Sequence, residues 1–206
     1  MESIVGGQFA TEIRPYLVAL GRGEDSFNGQ TCGGSLISPR AVLTAAHCIT
    51  DRVDGSLRPV EWVEFNRLDL TAQNEPGAVR INVGAPNQIQ IPHPRYNTVT
   101  EDLDVAVIIL PRAMAMDGIT PVTLNEDSSV PADGALLDVA GWGDTTNGEE
   151  EFSSVLKFTT LEYITNGECT SAPFQYPPED ITNNMMCAFE EGTDSCQGDS
   201  GKCHSS

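Results

Sequence analysis

Asp104-Val105-Ala106-Val107-Ile108-Ile109-Leu110 sets a carboxylate at the head of six uninterrupted apolar residues. The run is rich in β-branched side chains and reads as a strand buried on both faces. Asp104, at its mouth, is drawn partly out of water. An isolated buried carboxylate costs on the order of several kcal/mol, so it needs a partner. A histidine Nδ1–H would serve, and that pairing fixes the tautomer required of a general base. Glu101 and Asp102 lie in the polar approach to the strand and are expected to be solvated.

Outward from this run, the chain is a succession of short apolar segments and turns. Tyr16–Leu20 and Cys32–Ile37 read as a hairpin joined by the long polar segment Gly21–Gly29. Val42 to Cys48 begins as a strand and passes into an Ala-rich helical turn. Further strands are predicted over Val60–Phe65, Val79–Val83 and Gln88–Ile91, then over Ala135–Gly141, Val155–Ile164 and Met185–Phe189. Pro111 to Pro121 reads as a crossover, and Asp144 to Glu151 as a loop. The spacing predicts two all-β units split near residue 112, the second short of strands.

Composition narrows the function. The 206 residues are 39% hydrophobic, enough to bury a sizeable core. The 19 glycines and 13 prolines favour strands and turns over long helices. A formal charge of -19 argues against nucleic acid, whose phosphates require Lys and Arg, and against an anionic membrane surface. A soluble surface explains it better than steering of cationic substrates. No stretch approaches a transmembrane helix. The six cysteines form no Cys-x-x-Cys pair, which disfavours a zinc ribbon or a thioredoxin-type motif. Scattered cysteines in a strand-rich chain point to disulfides and an oxidising compartment. The N-terminus, Met1-Glu2-Ser3-Ile4, carries no secretory signal, so the two indications conflict.

Near the other end lies Gly198-Asp199-Ser200-Gly201, a serine on a tight turn. Serine is a poor nucleophile without a base in hydrogen-bond reach and a group orienting that base. Of three histidines, His204 lies in the tail, and His93 sits in a Pro-containing loop as a structural or solvated residue. His47 sits at a strand end beside Cys48. The order His, Asp, Ser matches one of the known triad orders. An α/β-hydrolase elbow fails because Lys202 stands where a glycine is needed. A P-loop would need glycine at Cys196 and Ser or Thr at Cys203.

Five motifs in order carry a family resemblance: Ile4-Val5-Gly6-Gly7, Thr44-Ala45-Ala46-His47-Cys48, Asp104-Val105-Ala106-Val107, Gly141-Trp142-Gly143 and Asp194-Ser195-Cys196-Gln197-Gly198-Asp199-Ser200-Gly201. Over residues 4–201 the chain resembles the trypsin/chymotrypsin family of serine proteases. The resemblance implies an all-β fold of two antiparallel six-stranded β-barrels, the second incomplete. Residues 4–112 would form the first, with His47 and Asp104, and residues 113–206 part of the second, with Ser200. It further implies Ser200 as nucleophile, His47 as general base, Asp104 as its orienter, and the N–H groups of Gly198 and Ser200 as oxyanion hole. Asp194 would bind Arg or Lys side chains of substrates, and Asp199 would pair with a free Ile4 ammonium. Disulfides Cys32–Cys48 and Cys169–Cys187 are implied, with neither metal nor cofactor. Protein or peptide substrates, protein protease inhibitors and a secreted location follow from the family.

Three departures qualify this. Ser3 precedes Ile4, where the family usually has a basic residue. Lys202-Cys203 follow Gly201 in place of the usual glycine-proline pair. The later strands of the second barrel, one pocket wall and a C-terminal helix have no counterpart, leaving Cys196 free or bonded to Cys203. The expectation is a trypsin-like endopeptidase impaired in this truncated chain. The alternative is a catalytically inactive homologue acting as a binding or regulatory module.

Overall fold

The computed structural model describes residues 7–114, 118–143 and 152–189. Ile4, Asp194, Cys196, Gly198, Asp199, Ser200, Cys203, His204 and the Asp144–Glu151 segment lie outside the described residues. Strand β1 (Gln8–Phe9) is followed by β2 (Leu17–Gly21), the one-turn helix α1 (Ser26–Gly29), β3 (Gln30–Ser38) and β4 (Ala41–Thr44). A 3-10 turn, Ala46–Cys48, precedes β5 (Trp62–Phe65), β6 (Val79–Asn82), β7 (Ile89–Pro92) and β8 (Ala106–Ile109). The remaining elements are β9 (Leu136–Gly141), β10 (Lys157–Ile164), the one-turn helix α2 (Asn166–Cys169) and β11 (Cys187–Phe189).

Seven strands form one antiparallel sheet in the order β6-β5-β2-β3-β4-β8-β7. It curls into a half-barrel, and a buried side chain ties its two ends together. Gln90, on β7, donates from Nε2 to the carbonyls of Val60 (2.7 Å) and Val83 (3.0 Å) and accepts from Val60 N–H (3.1 Å). Val60 precedes β5 and Val83 follows β6, so one amide supplies three bonds where no strand pairing does. The segment Gly21–Gly29 contains α1, capped by the Asp25 carboxylate accepting from Asn28 N–H.

Which strand is buried on both faces differs from the sequence expectation. In β8, Ala106 and Ile108 are buried, but Val107 and Ile109 are half-buried. Val107 stands opposite Ile91, and Ile109 opposite Ile89, both about half exposed. An antiparallel sheet can leave one face toward water, and apolar residues on both faces hide that from periodicity. Every residue of β5 is buried, and so is every residue of β2. Its Val18 and Leu20 enter the half-barrel core with Leu36, Val42, Phe65 and Ile108. Its Leu17 and Ala19 point the other way, into a second cluster with Trp62, Leu70, Trp142 and Leu156.

A second sheet has β10 between β9 and β11, with β1 also paired to β10. Segment 68–70 joins the two sheets. Leu70 N–H donates to Ser154 (2.8 Å), Leu156 N–H donates to Leu68 (2.6 Å), and the Trp142 indole donates to the same Leu68 carbonyl (3.2 Å). A buried ion cluster underlies this junction. Arg80 Nε meets Glu64 Oε1 at 2.7 Å, and Arg67 Nε lies 3.7 Å from Glu64 Oε2 and 3.3 Å from Glu75 Oε2. Glu75 also accepts from the N–H groups of Leu68 and Asp69.

Candidate active site

Strand pairing explains why a histidine and an aspartate distant in sequence meet. β4 and β8 align with Thr44 opposite Ala106. His47 follows Thr44 by one short turn, and Asp104 precedes Ala106 by two residues, so both emerge at the same end of the strand pair. The Thr44 hydroxyl donates to the Gly33 carbonyl at 2.8 Å, fixing the end of β4. The Cys32–Cys48 disulfide, with Cα atoms 6.1 Å apart, then staples the His47 turn to β3.

Asp104 receives His47 twice. Its Oδ1 accepts from the His47 backbone N–H at 2.9 Å, and its Oδ2 lies 2.5 Å from the imidazole Nδ1. Side-chain exposure is 11% for His47 and 21% for Asp104, so the pair is shielded yet reachable. Burial alone would raise the Asp104 carboxyl. Hydrogen bonds from the His47 ring and backbone, with the imidazole charge, outweigh that and hold it below the ordinary carboxylate range. An ionised Asp104 keeps the proton on Nδ1, leaving Nε2 with the lone pair a base needs. Tyr96 packs against the half-barrel core. Its hydroxyl is pushed up to about 12 by burial and then by the charges of Asp104 and Glu101.

Cys32, His47 and Cys48 present their ligand atoms within 4.8 Å of one another, a grouping that could suggest a metal. Both sulfurs are consumed in the disulfide, and a metal needs the thiolate. His93 has a structural position: its Nδ1 accepts from Arg95 N–H at 3.2 Å. The second disulfide, Cys169–Cys187, joins α2 to β11.

Asp102 departs from the expectation of a merely solvated carboxylate. Its Oδ1 accepts from the Thr182 hydroxyl at 2.5 Å and from Asn184 Nδ2 at 3.0 Å, across 80 and 82 residues. Hydrogen bonds from Thr182 and then Asn184 hold its carboxyl below the ordinary range. Nothing in the local sequence signals this, because the partners are remote.

The trypsin family matches residues 4–203. Trypsin beta of Drosophila erecta is 32% identical over 203 residues, covering 96% of this chain and 72% of that protein. Trypsin II-P29 of Gallus gallus is 33% identical, covering 97% and 73%. Trypsin 5G1 of Aedes aegypti is 35% identical, covering 96% and 69%.

Proposed function

The chain belongs to the trypsin family of serine proteases, and on that premise we propose that it cleaves peptide bonds after Arg or Lys through Ser200, His47 and Asp104. The observation that carries the proposal is the His47–Asp104 pair, with Nδ1 held at 2.5 Å and the backbone N–H bonded to the same carboxylate. In the first step Ser200 Oγ attacks the scissile carbonyl carbon while His47 Nε2 takes its proton. Asp104 stabilises the resulting imidazolium without itself being protonated. The N–H groups of Gly198 and Ser200 receive the developing oxyanion, a contribution worth about 2.7–4 kcal/mol per donor. His47 then returns the proton to the leaving amine, and water hydrolyses the acyl-enzyme by the same relay.

Asp194 supplies the charge that selects Arg or Lys, and Asp199 orders the oxyanion turn by pairing with a free Ile4 ammonium. The substrates are proteins or peptides bearing Arg or Lys, and protein protease inhibitors are the expected competitors. Two disulfides and family membership support secretion. The test is labelling of the chain, trimmed to begin at Ile4, by a fluorophosphonate serine reagent, together with hydrolysis of arginine and leucine esters. Label on Ser200, lost in Ser200→Ala and His47→Ala, and a preference for the arginine ester reversed by Asp194→Ser are expected. A folded chain that takes no label would overturn catalysis and leave a non-catalytic binding module.

A further inference from the structure

The residues next to the His47–Asp104 pair are held by a contact that spans the two sheets. Glu101 and Leu103 both have positive φ, 54° and 56°. Neither is glycine, and the left-handed region is unfavourable for such residues, so the surroundings must enforce it. Between them Asp102 is fixed at three points. Its carbonyl accepts from Asn97 N–H at 3.1 Å, and its carboxylate accepts from Thr182 and Asn184. The far side of this contact is equally constrained. Asn166 Nδ2 donates to the carbonyls of Thr182 (3.0 Å) and Met185 (3.1 Å), and Cys187 is tied to Cys169 just beyond.

We propose that Asp102 is a positioning residue: its clamp on Thr182 and Asn184 fixes the strained turn Glu101–Leu103 and thereby aims Asp104 at His47. The geometry supports this stepwise. Leu103 accepts from Val105 N–H at 2.8 Å in a tight turn that straddles Asp104. A rotation at Asp102 therefore passes directly to the Asp104 backbone. The strain is relieved if the clamp opens, and Asp104 would then leave the 2.5 Å contact with Nδ1. The clamp also joins the approach to β8, which carries Asp104, to the segment that runs on in sequence toward Ser200. It acts through Asp104 and touches no reacting atom.

This inference rests on the catalytic reading for its rate effect but not for its structural core. The experiment therefore reads the pair itself, by the far-downfield proton NMR resonance of the short His47 Nδ1–H···Asp104 hydrogen bond. Asp102→Ala and Thr182→Val are expected to broaden or lose that resonance. Asp102→Asn, which keeps an oxygen acceptor for Thr182, is expected to retain it. Asp127→Ala serves as control, because among the described residues its carboxylate bonds only to Ser129 of its own turn. In arginine-ester hydrolysis, kcat should fall about tenfold in Asp102→Ala with KM little changed, as for a displacement smaller than the roughly 1 Å that costs on the order of 100-fold. An unmoved resonance in Asp102→Ala, with only a lower melting temperature, would overturn the proposal and reduce the clamp to a stabilising contact. A lost resonance in a chain that hydrolyses nothing would uphold the clamp while overturning the catalytic reading.

Discussion

The seven-stranded sheet buries its inner face against itself: Val18, Leu36, Val42, Phe65, Ile81 and Ile108 converge from strands β2 to β8. The second sheet relies on its neighbour. Its cluster of Ala140, Trp142 and Leu156 is completed by Leu17, Ala19, Trp62 and Leu70, all from the first sheet or the loop beside it. Leu136 at the head of β9 and Phe189 at the tail of β11 stay exposed among the described residues. One region is thus a self-contained core, and the other is a sheet leaning on the outer face of β2. The His47–Asp104 pair lies wholly within the first, on the turn after β4 and the approach to β8. Its geometry should fail with damage to the first region and answer to the second only through the Asp102 contact with Thr182 and Asn184.

The strongest way to break this asymmetry is at the ion cluster beneath the junction. Arg67 is the shared partner of Glu64 and Glu75, and its Nη2 also donates to the carbonyls of Asp69 (2.9 Å) and Ala72 (3.0 Å). Arg67→Met takes from Glu75 the cation it pairs with and leaves Glu64 with Arg80, in a buried setting where a broken pair costs about 3–5 kcal/mol. Because segment 68–70 carries the bonds to Ser154 and Leu156, amide exchange should accelerate in β10 as well as β5. Replacing Glu64 and Glu75 by glutamine in the same variant should recover part of the loss. Urea unfolding that shifts by less than about 1 kcal/mol would show the cluster to be solvated in practice.

The disulfides sharpen the comparison because they close loops of similar length, with separations of 16 and 18 residues. Loops near this size predict about 3 kcal/mol of stabilisation each from unfolded-state entropy. Replacing either pair by serine should therefore cost a similar amount. The local consequences differ: loss of Cys32–Cys48 frees the turn under His47, while loss of Cys169–Cys187 frees α2 from β11. Only the first should disturb the His47 imidazole resonances directly. Equal disturbance by both would show that the pair depends on the second region more than its placement implies.

Much of this organisation could be read from the chain. The strand over Val105–Leu110, the hairpin ahead of it and the turn carrying His47 all follow from local pattern. His47 and Asp104 could be nominated because a buried carboxylate demands a partner and few histidines were available. Most of what escaped reading shares one property, dependence on remote partners. The double burial of β2 needs the second sheet to cover Leu17 and Ala19. The pairing of Gln8–Phe9 with β10 leaves no hydrophobic trace, since both residues are exposed. Asp102 looked solvated because Thr182 and Asn184 lie far along the sequence. The buried Gln90 likewise reads as any polar residue in a short strand. One missed feature was local: Thr165-Asn166-Gly167-Glu168 has the spacing of a capping box, and α2 begins there.

That capping box gives the smallest effect and the cleanest check that the second region answers to local forces. Thr165 Oγ1 accepts from Glu168 N–H, and the Glu168 carboxylate accepts from Thr165 N–H at 2.9 Å and from its hydroxyl at 2.8 Å. A one-turn helix cannot hold itself by propagation, so these bonds and the Cys169 disulfide define it. Thr165→Ala should cost about 1 kcal/mol, the usual worth of an N-cap side chain. The Glu168 carboxyl is held below its ordinary range by bonds from the Thr165 side chain and then its backbone. A lowered folded-state pKa means the cap's contribution is present above the unfolded value and is lost as pH falls through the folded one. In Thr165→Ala the Glu168 carboxyl should titrate closer to the ordinary range, as followed by carboxyl-carbon NMR. The stability difference between the two proteins should also shrink on acidification. Throughout that titration the His47 resonances should match the parent at each pH, because among the described residues α2 reaches the pair only indirectly, through Asn166 on the Thr182 and Met185 carbonyls and through Cys169 on Cys187. A Thr165→Ala variant that shifts His47 as strongly as the loss of Cys32–Cys48 would collapse the distinction between the two regions.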